Sequence, residues 1–122
     1  MARDSWIRGG YISFSEFQIG RMLHKMKVLF FHHKYIAGHE VDFVIPRPGR
    51  RGLVVEVDGD MFHLDERRKA ERDKVLKAAG WDVLHIWSSE VVQLPTAVQR
   101  NLEQALEGVP RIKKRNKRKS TR

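Results

Sequence analysis

Two short runs, Glu40-Val-Asp-Phe-Val-Ile45 and Leu53-Val-Val-Glu-Val-Asp58, stand either side of Pro46-Arg-Pro-Gly-Arg-Arg-Gly52. In the first, apolar Val41, Phe43 and Ile45 alternate with Glu40, Asp42 and Val44, which is the period of a strand. The prolines and glycines between the runs turn the chain, so the pair predicts a β-hairpin. A chain of 122 residues has room for one domain around one core, so the remaining elements must pack onto this hairpin.

Those elements follow from spacing and punctuation. Ser13-Phe-Ser-Glu16 has the form of a capping box, with Ser13 at the N-cap and Glu16 at N3. Phe14, Phe17, Met22, Leu23 and Met26 then recur at helical spacing, which predicts a helix from Phe14 to Lys25. The apolar run Val28 to Phe31 predicts a short strand. Asp65 to Ala79 predicts a helix that opens on acids and stops at Gly80. Trp81 to Trp87 alternates as a strand, and Leu94 to Glu107 predicts a last helix with Pro95 in its first turn. The order implies an α/β fold in which a mixed four-stranded sheet is flanked by helices.

Asp42, Glu56 and Asp58 stand inside predicted strands, where acids are depleted. Glu56 and Asp58 are two apart and share a face; Asp42 is on the neighbouring strand, out of phase with its apolar partners. If the strands pair, the three converge and raise one another's pKa. A hard divalent cation, Mg2+ or Mn2+, would remove that penalty, so Asp42, Glu56 and Asp58 are the candidate metal ligands. A solvated face with salt bridges is the plainer alternative. Gly59 permits a bend that would bring His63 back over the carboxylates, as general base or ligand. Glu16 would face the same site from the first helix. The other histidines, His24, His32, His33, His39 and His85, are taken as ordinary surface or loop residues.

The net charge of +9 is unevenly distributed: Pro110 to Arg122 holds eight basic residues and no acid, leaving +1 for the first 109. Residues 1–109 are therefore expected to form the folded domain and 110–122 a disordered basic tail. Lys113, Lys114, Arg115, Lys117, Arg118 and Lys119 would bind nucleic acid, with Arg72 joining them from the second long helix. There is no cysteine, which excludes disulfides, thiolate metal sites and a cysteine nucleophile, and fits a cytoplasmic location. No apolar run is long enough to span a membrane, and Met1 to Gly10 lacks the apolar core of a signal peptide.

His39-Glu-Val-Asp-Phe-Val-Ile-Pro46, Leu53-Val-Val-Glu-Val-Asp-Gly-Asp-Met-Phe-His63, Arg72-Asp73 and Gly80-Trp-Asp-Val-Leu-His-Ile-Trp-Ser-Ser-Glu90 together resemble the restriction-endonuclease-like PD-(D/E)xK superfamily. The resemblance is to its very-short-patch-repair (Vsr) endonuclease-like branch. It implies that Asp42 binds metal, that Glu56 is the acid of the (D/E)xK element, and that His63 is the Vsr-type histidine. Glu16 would match the first-helix glutamate, and Asp73 an acidic position on the second helix. Asp58 departs from the pattern, standing where the lysine would be. The zinc-binding cysteines and histidines of true Vsr enzymes are also missing, so mismatch specificity is not implied.

The expected function is a metal-dependent DNA endonuclease that hydrolyses or nicks double-stranded or branched DNA. Repair, recombination and mobile-element processing all remain open as roles. Sequence specificity should be limited unless the chain forms a homodimer. The alternative is a catalytically inactive nucleic-acid-binding module on a nuclease fold. An interaction protein whose tail binds an acidic partner would leave the strand carboxylates unexplained.

Overall fold

The computed structural model describes residues 13–59 and 66–113. Among them are four helices and four strands: α1 (Phe14–Met26), β1 (Phe31–Ile36), β2 (His39–Ile45), β3 (Gly52–Asp58), α2 (Glu66–Ala78), β4 (Trp81–Trp87), α3 (Ser88–Gln93) and α4 (Pro95–Ala105). The sheet order is β1-β2-β3-β4. The first two pairings are antiparallel, and β3 runs parallel to β4 through the α2 crossover, giving the expected mixed sheet.

One face of the sheet carries the main core. Ile19 and Leu23 of α1, Phe43, Ile45, Leu53, Val55 and Ile86 of the strands, and Val98 and Leu102 of α4 pack together there. Each such side chain stabilises the fold by about 1.5–3 kcal/mol when fully buried. The other face is thinner. Val41, Val44 and Val54 meet Leu76, the buried residue of an otherwise charged α2. Gly52 opens β3 because a Cβ there would stand 2.3 Å from Cζ3 of Trp81. Only glycine lets that ring cross the strand.

Two expectations need correction, and one short helix is not among those expected. The strand placed at Val28–Phe31 lies further on, at Phe31–Ile36. Val28 is buried as a core residue before the strand begins. The strand itself is an edge whose Lys34 and Tyr35 face solvent, so it has no apolar alternation to read. The helix from Leu94 to Glu107 is preceded by a separate short one, α3, and Pro95 starts α4 in its first turn. The tail does not leave the fold at Pro110. Ile112 N–H donates to Lys27 O at 2.6 Å and Arg111 Nη1 to Met26 O at 2.8 Å, so residues 110–113 are held against the end of α1. Lys113 is exposed at the end of this stretch. The roles expected of Lys114, Arg115, Lys117, Arg118 and Lys119, like that of His63, fall outside the described residues.

Arg47 fixes the β2–β3 connection. Its buried guanidinium donates to Arg51 O at 2.7 Å and Ala105 O at 3.0 Å and pairs with Asp82. The loop is thereby bonded to α4 and β4 at once. No helix among the described residues is long and apolar enough to cross a membrane.

Candidate active site

β2 changes phase at Asp42. Val41 packs on the α2 face and Phe43, two residues on, packs on the α1 face, although residues two apart in a regular strand share a side. The β1–β2 register pairs His32 with Phe43 and Lys34 with Val41, passing over His33 and Asp42. The β2–β3 pairing ends at Phe43–Val55. Asp42 therefore sits where the backbone ladder breaks, an irregularity of the kind that re-aims a side chain. Its Oδ2 accepts the Val57 N–H at 2.7 Å.

Asp42 and Glu56 interact directly. Burial, and then the charge of Asp42, push the Glu56 carboxyl up to about 8. Burial also raises Asp42, with Glu16 adding to it, against the Val57 hydrogen bond and the charge of His33. At neutral pH the pair holds a proton that two separate carboxylates would have lost. Arg72 Nη2 reaches Glu56 Oε2 at 2.6 Å and also the Glu40 carbonyl, while its Nε is buried with no hydrogen-bond partner among the described residues. The guanidinium expected to bind DNA is thus committed to Glu56.

Glu56 and Asp58 do face the same side, toward α2, but Asp58 is drawn into a different cluster. Its Oδ2 lies 3.0 Å from Lys69 Nζ and 3.0 Å from His85 Nδ1, and His85 Nε2 meets Asp73 Oδ2 at 2.7 Å. The hydrogen bond to Asp58, assisted by Asp73 and opposed by burial, raises His85 to about 9. Burial works against ionisation of Asp58, yet His85 and Lys69 hold its pKa below the usual value. Lys69 and His85 are thus paired with Asp58 and Asp73, two cations against two carboxylates. Asp58, Lys69, Asp73, His85 and Trp87 line a cavity of about 300 Å³. A second, of about 200 Å³, is lined by His39, Arg68, Lys69 and Arg72.

Glu16 is delivered from the first turn of α1. Ser13 caps that helix as expected, its Oγ accepting Glu16 N–H at 3.1 Å. The Glu16 carboxylate is turned to β1, with Oε1 3.2 Å from His32 Nε2 and 3.0 Å from His33 Nε2. Burial opposes its ionisation, but the two histidines outweigh this and hold its pKa low. Among the described residues this is the one group of three possible metal-ligating side chains whose ligand atoms lie within 4.8 Å of one another. Asp42, Glu56 and Asp58 are not assembled that tightly.

Sequence reasoning passes over His32, His33 and His85 as site residues. His85 is within its reach: it follows Trp81 and Val83 in the alternation of β4 and stands in register with Glu56. His32 and His33 carry the weaker signal of two imidazoles side by side. Their common orientation depends on His33 adopting φ +54°, which costs a non-glycine residue about 1–2 kcal/mol and leaves no mark in composition.

A mixed sheet with acids gathered at a break in its ladder, backed by helices on both faces, is the architecture of a restriction-endonuclease-like domain. The REase_MTES_1575 family model matches residues 16–106, and the chain belongs to that restriction-endonuclease-like family. Among solved structures it is similar to the catalytic domain of the homing endonuclease I-Bth0305I, with a TM-score of 0.60 at 20% identity. That match covers 75% of this chain and 93% of the other and establishes the common fold. No curated protein matches the sequence.

Proposed function

We propose that the chain is a metal-dependent endodeoxyribonuclease of the very-short-patch-repair-like kind, hydrolysing backbone phosphodiesters of double-stranded or branched DNA. The observation that carries this reading is the Asp42–Glu56 pair, a half-buried and a buried carboxylate that interact at the break in the β2–β3 ladder. Such a pair is costly to ionise without a cation, so the donor set fits one. A bound divalent ion, Mg2+ or Mn2+, would supply a lowered water pKa and offset charge building on the phosphoryl oxygens.

The residues of the chain divide the remaining work. Asp42 and Glu56 would hold the cation, and Asp42 is oriented by Val57 N–H. Arg72 limits the repulsion at Glu56 and holds that carboxylate in place. The cavity lined by His39, Arg68, Lys69 and Arg72 receives a backbone phosphate next to the acids. Asp58 positions Lys69 and His85 as cations at its edge. His63, on sequence grounds, acts as the general base or as a further metal ligand. The basic segment from Lys113 onward adds affinity independent of base sequence. We further place the protein in the cytoplasm, where a cysteine-free DNA enzyme meets its substrate, and allow that a homodimer would supply the specificity one small domain lacks.

The test is incubation of supercoiled plasmid and of branched DNA with the protein in Mg2+ or Mn2+, against EDTA. Metal-dependent nicking is expected, and the preferred substrate would choose among repair, recombination and mobile-element roles. Tight binding without cleavage under any metal would make the chain a nucleic-acid-binding module on a nuclease fold.

A further inference from the structure

Neighbouring residues of a strand point to opposite faces. His32 and His33 do not. Their rings stack with centroids 3.8 Å apart, and both present Nε2 to the same oxygen, Glu16 Oε1. The left-handed backbone at His33 is what turns the second ring onto the first. His32 is held from behind by Phe43, ring centroids 4.9 Å apart, and its side chain is 2% exposed. Strained, irregular backbone of this kind clusters at ligand sites.

Two of the three separations between the ligand atoms also have the length of a coordination edge, and all three lie within 4.8 Å. An ion with bonds of about 2.1 Å holds neighbouring ligands roughly 3.0 Å apart if octahedral and roughly 3.4 Å apart if tetrahedral. The two nitrogens lie 3.2 and 3.0 Å from the Glu16 oxygen. Asp42 interacts electrostatically with both Glu16 and His33, so this cluster adjoins the acid pair.

We propose that Glu16, His32 and His33 form a cation site beside Asp42 that takes an imidazole-binding transition ion such as Mn2+, Co2+ or Zn2+ in preference to Mg2+. The proposal rests on the nuclease reading and adds, next to the cation assigned to Asp42 and Glu56, a second site of different donor chemistry. Magnesium favours oxygen donors and keeps its waters, whereas imidazole suits the first-row transition ions. Two histidines and one carboxylate make a poor magnesium site and a good one for the heavier ions.

The test uses the full chain stripped of metal, titrated with Co2+ alone and with Mg2+ alone by calorimetry, and loaded with Mn2+ for pulsed electron paramagnetic resonance. Co2+ should bind about 100-fold tighter than Mg2+. The Mn2+ spectrum should show nitrogen-14 coupling from imidazole. His33→Gln should weaken Co2+ about tenfold or more and reduce that coupling, while Lys34→Gln on the same strand changes neither. His33 carries the test because His32 is buried and its variants risk misfolding; circular dichroism checks the fold of each. Oxygen-only coupling in the wild type would overturn the proposal, as would Co2+ affinity unchanged in His33→Gln, leaving a structural hydrogen-bond cluster. Nitrogen ligation without nicking of plasmid by any metal would sink the nuclease reading and keep the site. Nicking with oxygen-only ligation would do the reverse.

Discussion

Asp42 Oδ2 accepts the Val57 N–H at 2.7 Å, so a side-chain carboxylate occupies the place where the β2–β3 ladder would otherwise continue. The same acid is the neighbour that, after burial, raises Glu56 to about 8. Asp42→Asn keeps the shape and removes the charge. The Glu56 pKa should therefore fall toward its usual value without reaching it, because burial remains. Carbon-13 NMR of the Glu56 carboxyl during a pH titration measures the change.

His85 makes stability depend on pH in a defined direction. Its folded pKa, about 9, lies above the ordinary 6.5. Its contribution is therefore fully present below pH 6.5 and is lost as the pH rises through 9. Glu56 declines over part of the same range and feels the charge of His85, so the difference between wild type and His85→Gln reads the histidine together with its effect on Glu56. Urea unfolding should show that difference shrinking by about 2 kcal/mol between roughly pH 6 and 10, a figure discounted for partial exposure.

Arg47 and Arg51 both pair with Asp82, with unequal consequences. The Arg47 side chain is 8% exposed and also serves two carbonyls, whereas Arg51 is 47% exposed. Arg47→Ala strands buried acceptors and frees the β2–β3 loop from α4, and should cost about 2–3 kcal/mol. Arg51→Ala should cost about 0–1 kcal/mol. Thermal unfolding of the two variants separates them.

The basic segment should act on DNA and leave the fold alone. Residues 110–113 are bonded to α1, so truncation after Lys113 should leave the melting temperature unchanged. It removes Lys114, Arg115, Lys117, Arg118, Lys119 and Arg122. Affinity for duplex DNA should drop, and the slope of log affinity against log salt should become shallower by about 0.9 for each phosphate no longer neutralised. Fluorescence anisotropy across a salt series reads both.

The parts of this fold that announce themselves in the sequence are apolar runs with clear limits. β2 and β4 alternate, β3 is an apolar run set off by the Pro- and Gly-rich turn before it, and α2 ends at a glycine, so their expected limits fall within a residue or two of those observed. β1 is misplaced by the same reasoning because one side of His32-His-Lys-Tyr35 meets an acidic helix end and the other meets solvent. Neither side is apolar. The phase change at Asp42 is out of reach for a related reason: Val41 and Phe43 look like one face in the sequence and belong to two in the structure. Of the site, the closeness of Asp42 and Glu56 follows from the hairpin. The capture of Asp58 by Lys69 and His85, and of Arg72 by Glu56, depends on how α2 lies over the sheet, which a charged helix with one buried leucine does not disclose.

The central claim is that Asp42 holds the cation for phosphodiester hydrolysis. It is tested most directly by single-turnover cleavage of a labelled duplex by wild type and Asp42→Asn, both saturated with DNA and supplied with Mn2+. The account predicts that the variant is folded, binds DNA as tightly as wild type, and cleaves at least about 100-fold more slowly. Cleavage by Asp42→Asn at the wild-type rate would contradict it and move the chemistry away from the break in the β2–β3 ladder.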